Sequence, residues 1–401
     1  MSQVVDVRTK VGVRHFAQLS STDGLFAQAP AEVDDSDPRR LAVALGGTLY
    51  TPAVTPDLPQ VLAKLYRQGV TTSVLCLEDA IADDQVHDAE EHLVGELDRL
   101  AGAGTTTPLL FVRPRTPRQV LGLVERLPPR ARGRIAGFML PKFDKNNGLE
   151  WLVRISQAER LAGPGHRYWR CPIMESPDFA QRESQAEALT ATRRLLVDPM
   201  WRTSVLVVRI GATDLLSTFG LRRNPDMTIY DYPVVAQVIG SVVNTFGRAD
   251  GFVVSGPVWE HFGGQERLLR PALRASPFEE TDSMWVRRHL FANHVDGLLQ
   301  EIEFDIANGL VGKTVIHPSH ASLVNAMLVP SFDEWRDARD ILAQGSGVIR
   351  SAAGGKMNEA GPHRLWAQRV VDRASVYGVA GPDVSRIDLL RAVVRADREK
   401  S

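Results

Sequence analysis

SVLCLEDAIADDQVHDAEEHLVGELDRLAGAGTTTPLLFVRP, residues Ser73 to Pro114, carries the pattern that decides the fold. A short apolar run closes on Glu78 and Asp79. Apolar residues at helical spacing follow from Asp88 to Ala101, and a second apolar run closes on Arg113. Short apolar runs bounded by turn formers read as buried strands, and the period of about 3.6 residues between them reads as the crossover helix of a parallel sheet.

The same alternation continues on both sides. Strands are predicted at Gly46–Val54, Ser73–Ala80, Pro108–Pro114, Ile135–Lys142, Arg167–Ser176, Val205–Asp214, Gly251–Gly256 and Lys313–Pro318. Helices are predicted at Leu58–Gln68, Asp88–Ala101, Pro117–Arg126, Leu149–Leu161, Ser184–Leu196, Tyr232–Thr245 and Asp282–Asn308. Eight successive strand–helix units predict an α/β protein of the (β/α)8 TIM-barrel type, whose chemistry lies at the carboxyl ends of the strands. A doubly wound open sheet is the alternative, but no Gly-rich phosphate turn follows the first strand as a dinucleotide fold requires. Residues 1–43 read as an N-terminal arm, 44–330 as the barrel and 331–401 as a C-terminal helical extension. The stretch Trp259–Phe278 reads as an irregular insertion, a lid or an oligomer contact, and Ser346–His363 as a mobile loop between terminal helices.

Composition narrows the function. The chain has 401 residues, is 44% hydrophobic and 24% charged, and carries a formal charge of -1. Disorder is therefore not expected, and no general basic field exists for nucleic acid or an anionic membrane, so a small molecule is the expected partner. Cys76 and Cys171 are too few for a disulfide framework or a zinc site. The first twenty residues lack the apolar core of a signal peptide and no stretch is long enough to span a bilayer, so a cytoplasmic location is expected.

The polar strand ends carry the chemistry. Glu78, Asp79, Arg113, Lys142, Glu175, Asp214 and His317 each close an apolar run, and in a barrel such ends converge on one mouth. For any single one, a solvated strand terminus is the plainer explanation. Glu175 and Asp214 end adjacent strands, so their oxygens can share one hard cation such as Mg2+, acting as a Lewis acid toward a keto acid and stabilising an enolate. Ion pairs with Arg209 or Arg113 are the structural alternative for both acids. Arg113 has the planar fork that suits a substrate carboxylate, or it pairs with Glu78 or Asp79. Lysine is scarce, with seven in the chain, which singles out Lys142 as a second cation at the mouth or as a surface lysine. His317 reads as a proton donor or as a cap of the barrel end, and Cys76 as a small buried apolar residue.

Taken in order, LCLEDAI (Leu75–Ile81), FVRPR (Phe111–Arg115), MLPK (Met139–Lys142), IMES (Ile173–Ser176), IGATDL (Ile210–Leu215) and GKTVIHPS (Gly312–Ser319) resemble the citrate lyase beta subunit family. This is the HpcH/HpaI aldolase group of the phosphoenolpyruvate and pyruvate superfamily. The opening RHFAQLS with ALGGTLYTPA is similar to its tellurite-resistance-associated branch. The resemblance implies a magnesium-dependent carbon–carbon lyase or aldolase, usually a homo-oligomer (trimer or hexamer), acting on keto or 3-hydroxy acids or their coenzyme A thioesters. By it, Glu175 and Asp214 match the metal carboxylates and Arg113 the substrate-binding arginine. Glu78 and Asp79 match the acidic pair that supports the metal waters and that arginine. Lys142 or a metal-bound water is expected to assist proton transfer. Cys76 replaces a common aspartate, Thr213 a frequent glutamate, and Thr48 to Pro52 replace the arginine and Phe-Val-Pro-Gly of the family's first strand. A malate synthase-like thioester enzyme and a non-catalytic metabolite-binding or assembly protein on the same barrel are the other readings.

Overall fold

A computed structural model describes residues 12–22, 24–79, 81–262, 293–344, 347–351 and 357–400. Eight parallel strands close a barrel: β1 (Gly47–Pro52), β2 (Thr72–Cys76), β3 (Leu109–Arg113), β4 (Ile135–Leu140), β5 (Trp169–Met174), β6 (Val207–Ile210), β7 (Val253–Trp259) and β8 (Lys313–Val315). Each pairs with its neighbour in the chain, and β8 closes on β1 through Thr314 beside Thr48. Eight outer helices follow the strands in turn: α1 (Leu58–Arg67), α2 (Val86–Ala103), α3 (Pro117–Arg126), α4 (Gly148–Ala162), α5 (Gln185–Val197), α6 (Pro233–Phe246), α7 (Asn293–Ala307) and α8 (Pro318–Leu328). The expected TIM barrel is the fold.

The strands explain why the apolar runs lack strict alternation: one face of each packs on helices and the other fills the barrel, so both are buried. Register places Cys76 beside Arg113, Ser255 beside Arg209, and Arg209 beside Ile173, all facing inward. On β8, Lys313 faces outward to α7, where its Nζ lies 2.8 Å from Glu301 and 2.6 Å from Asp305 in a fully buried cluster.

Several element ends differ from the sequence expectation. Glu78 and Asp79 lie in the bend after β2, and Lys142 in the turn after β4. Asp214 lies in the first turn of a short helix, Ala212–Thr218, rather than in β6. In each case the charged residue lies past the last ladder pair, at the carboxyl end of its strand. β7 runs on to Trp259, past the predicted end at Gly256. Part of the expected Ser346–His363 loop is an antiparallel ribbon, Val348–Arg350 with Met357–Glu359. The insertion expected at Trp259–Phe278 lies outside the described residues from 263 onward, as does the predicted helix between Asp282 and residue 292.

The arm and the extension meet on one side of the barrel. Val13–Arg14 pairs with Glu32–Val33, while Phe26–Gln28 pairs with Val379–Ala380. The extension contributes α9 (Phe332–Ala343), α10 (Ala360–Tyr377) and α11 (Arg386–Lys400), the last packed on α8. His15 is buried against the Tyr377 ring and bonds the Ala44 carbonyl at 3.0 Å, while the Tyr377 hydroxyl donates to Val43 at 2.7 Å. Among the described residues, no helix is long and apolar enough to cross a membrane.

Candidate functional site

The carboxyl ends of β2 to β6 bring the expected charged residues to one mouth. Glu175, directly after β5, is buried, and its Oε1 accepts the backbone N–H of Lys142 at 2.8 Å. That amide is aimed by an uncommon backbone conformation: Lys142 has φ +50, in the left-handed region, which a residue with a Cβ adopts at a cost. The Asp214 carboxyl arrives from the adjacent β6 side, and its charge acts on Glu175. Gly211 makes the approach possible, because a Cβ there would meet Glu175 Oε2 at 2.1 Å.

Arg113 ends β3 and binds three carboxylates. Its Nη2 lies 2.6 Å from Glu78 Oε2 and 3.4 Å from Glu175 Oε1, and its Nη1 lies 3.0 Å from Asp79. The contact to Glu78 is a close ion pair rather than an aligned hydrogen bond, since that oxygen has no partner in good geometry. Lys142 Nζ, more than half exposed, donates to the other Glu78 oxygen at 2.9 Å. The Tyr50 ring lies below, with the Arg113 guanidinium 5.7 Å from its centroid.

The electrostatics show an excess of negative charge. Burial raises the Glu175 carboxyl to about 7, against the pull of Arg113 and with the help of Asp214. Burial and then the Asp79 charge raise Asp214, and burial also raises Glu78. At Asp79 the burial effect is outweighed by Arg113 and by hydrogen bonding with Glu78, so that carboxyl sits below its usual value. Lys142 is raised, chiefly by its bond to Glu78. With all four carboxylates ionised, Arg113 and Lys142 leave two negative charges uncompensated, the complement of one divalent cation.

Among the described residues, no group of three His, Cys, Asp or Glu side chains is disposed to hold a metal. A magnesium ion does not require one, since it keeps several waters and commonly binds through one or two carboxylates. The oxygen-only donors Glu175 and Asp214 and the surplus charge around them fit such an ion.

The other sequence candidates have plainer places. His317 caps α8: its Nδ1 lies 2.8 Å from Ser319 Oγ, and the ring stacks on Phe262. Cys76 is buried in the barrel as a free thiol. Thr213 donates its hydroxyl to Glu260 just past β7. Sequence reasoning missed three contributors: Gly211, the backbone amide of Lys142, and Asp144, whose carboxylate accepts the Ser176 hydroxyl at 3.1 Å beside Glu175. Gly211 alone left a signal, as the glycine of IGATD; a backbone amide leaves none.

Residues 39–379 match a family model described as C-C_Bond_Lyase of the TIM-Barrel fold. Among solved structures, the chain is similar to the CitE protein of Mycobacterium tuberculosis crystallised with magnesium, acetoacetate and coenzyme A, with 20% identity over 83% of this chain and 99% of that one and a TM-score of 0.50. It is also similar to a citrate lyase from Burkholderia xenovorans, with 17% identity over 86% and 95% and a TM-score of 0.57. At these identities the likeness shows the shared fold. No curated protein matches the sequence.

Proposed function

The chain belongs to the carbon–carbon bond lyase family of the TIM-barrel fold, and from that membership we propose that it makes or breaks a carbon–carbon bond next to a carboxylate, with Mg2+ held at Glu175 and Asp214. The substrate class is a small keto or hydroxy acid, free or as a coenzyme A thioester. The observation that carries this reading is that Glu175 and Asp214 follow adjacent strands at the barrel mouth, with the Glu175 carboxylate packed against Gly211 and 3.4 Å from Arg113. Magnesium and a keto acid are also what the Mycobacterium tuberculosis CitE crystal holds.

When bound, the ion supplies Lewis acidity toward a ketone or carboxylate oxygen of the substrate. The remaining work falls to side chains of this chain. Arg113, fixed by Glu78, Asp79 and Glu175, offers its guanidinium to the substrate carboxylate without a rotamer search. Lys142 Nζ is exposed at the mouth and held protonated by its bond to Glu78, so it can donate a proton to a reacting oxygen.

Isothermal titration with Mg2+ and a panel of α-keto acids tests the assignment, with product analysis for hydroxy acids and thioesters. Glu175→Gln and Asp214→Asn should each abolish metal-dependent binding and turnover. Undiminished metal binding by Glu175→Gln contradicts the proposal.

A further inference from the structure

Among the described residues five arginines are buried, and four of them meet carboxylates: Arg113 as above, Arg170 with Glu159 at 3.0 Å, Arg223 with Glu301 at 3.3 Å, and Arg373 with Glu334. Arg209 is the exception. It lies inside the barrel on β6, 1% exposed, and no carboxylate among the described residues lies within ion-pair distance of it. Its Nη2 donates to Thr314 Oγ1 across the barrel, and its Nη1 has no hydrogen-bond partner. Ser255, beside it in register on β7, has a buried hydroxyl that is also without a partner. A buried guanidinium with no carboxylate in contact is costly, and the cost is reduced if an anion arrives with the ligand.

The position fits that role. Arg209 stands two residues before Gly211, the residue packed against Glu175, so it faces the barrel interior one inward step, about 7 Å, below the Glu175 level. Tyr50 and Thr314 also face inward, and both are only partly buried. Burial raises the Tyr50 phenol, and the Arg209 and Arg113 charges pull it back.

We propose that Arg209, with the Thr314 hydroxyl, forms an inner anion subsite that takes a second carboxylate, so that the substrate is a short dicarboxylic hydroxy or keto acid. This rests on the reading of the mouth given above: one carboxylate is held at the Arg113 level and the other reaches down to Arg209.

The test compares acids that match in chain length and differ by one carboxylate: malate against α-hydroxybutyrate, and α-ketoglutarate against α-ketovalerate. Each is titrated calorimetrically into the full chain with saturating Mg2+. The diacid of each pair should bind about ten- to a hundred-fold more tightly, as expected for charge-assisted bonds to a buried guanidinium. In Arg209→Met that ratio should collapse toward one, and Thr314→Val should lower it partway. A ratio near one in the wild type, or an unchanged ratio in Arg209→Met, overturns the proposal. If circular dichroism shows Arg209→Met unfolded, Thr314→Val and Ser255→Ala decide, and an unchanged ratio in both overturns it. Magnesium-dependent binding of the monoacids without a diacid preference defeats this inference alone, whereas no binding of any of the four acids defeats it together with the proposed function.

Discussion

Gly211→Ala tests the site through its geometry rather than through its charges. The backbone there, φ -97 and ψ 82, lies on the negative-φ side and needs no glycine. The new methyl would nevertheless sit 2.1 Å from Glu175 Oε2, 2.5 Å from its Cβ and 2.9 Å from its Cδ. Heavy atoms do not approach so closely, so the carboxylate must move by about 1 Å, and a misplacement of that size costs about a hundredfold in rate when it lies in the reacting constellation. Glu175 cannot yield freely, since Lys142 N–H holds one oxygen at 2.8 Å and Arg113 lies 3.4 Å away. Metal affinity should fall about 10- to 100-fold, the range for disturbing the support of a ligand, while overpacking costs about 1–3 kcal/mol and leaves the protein folded. Titration of the variant with Mn2+, followed by electron paramagnetic resonance, measures the affinity, and circular dichroism checks the fold. Wild-type affinity in a folded Gly211→Ala protein would refute the claim that this carboxylate holds the ion.

Lys142→Gly should be more stable than Lys142→Ala by about 1 kcal/mol in urea denaturation, because both lose the same ion pair to Glu78 and only glycine is at ease at φ +50. His15 gives a pH dependence. Burial lowers its pKa from 6.5 to about 4, so the folded state prefers the neutral ring. Its contribution is complete above pH 6.5 and is lost as the pH falls toward 4, by roughly 2–3 kcal/mol. Urea unfolding at several pH values should show that slope in the wild type and a smaller one in His15→Gln. Lys313→Met should destabilise by about 3–5 kcal/mol, since it leaves the buried Asp305 without a counter-charge, while Glu301 keeps Arg223. A shift of the thermal midpoint of less than a few degrees would contradict that cluster's role.

Much of the barrel was legible because its pattern is local. A strand buried on both faces reads as an apolar run, and the crossover helix after it reads as a period of about 3.6 residues. The convergence of Glu78, Arg113, Lys142, Glu175 and Asp214 followed once the runs were counted, because a closed parallel sheet puts every strand's carboxyl end on one side. The ends of the elements were less legible. Asp214 belongs to a helix turn and Lys142 to a left-handed turn, because in both places backbone geometry aims a polar group rather than extending a ladder. The ribbon inside the predicted Ser346–His363 loop was missed because its strands are three residues long, too short to show a period.

The sequence by itself determined the number of strand–helix units, their order and the charged residues that close them, since each depends on neighbours a few positions away. Only the tertiary structure decided which charges compensate which. Arg113 meets three carboxylates, Lys313 meets two outside the barrel, and Arg209 meets none inside it. Those pairings join strands and helices distant in the chain, and electrostatic energy depends on separation and burial, quantities that exist only once the barrel has closed.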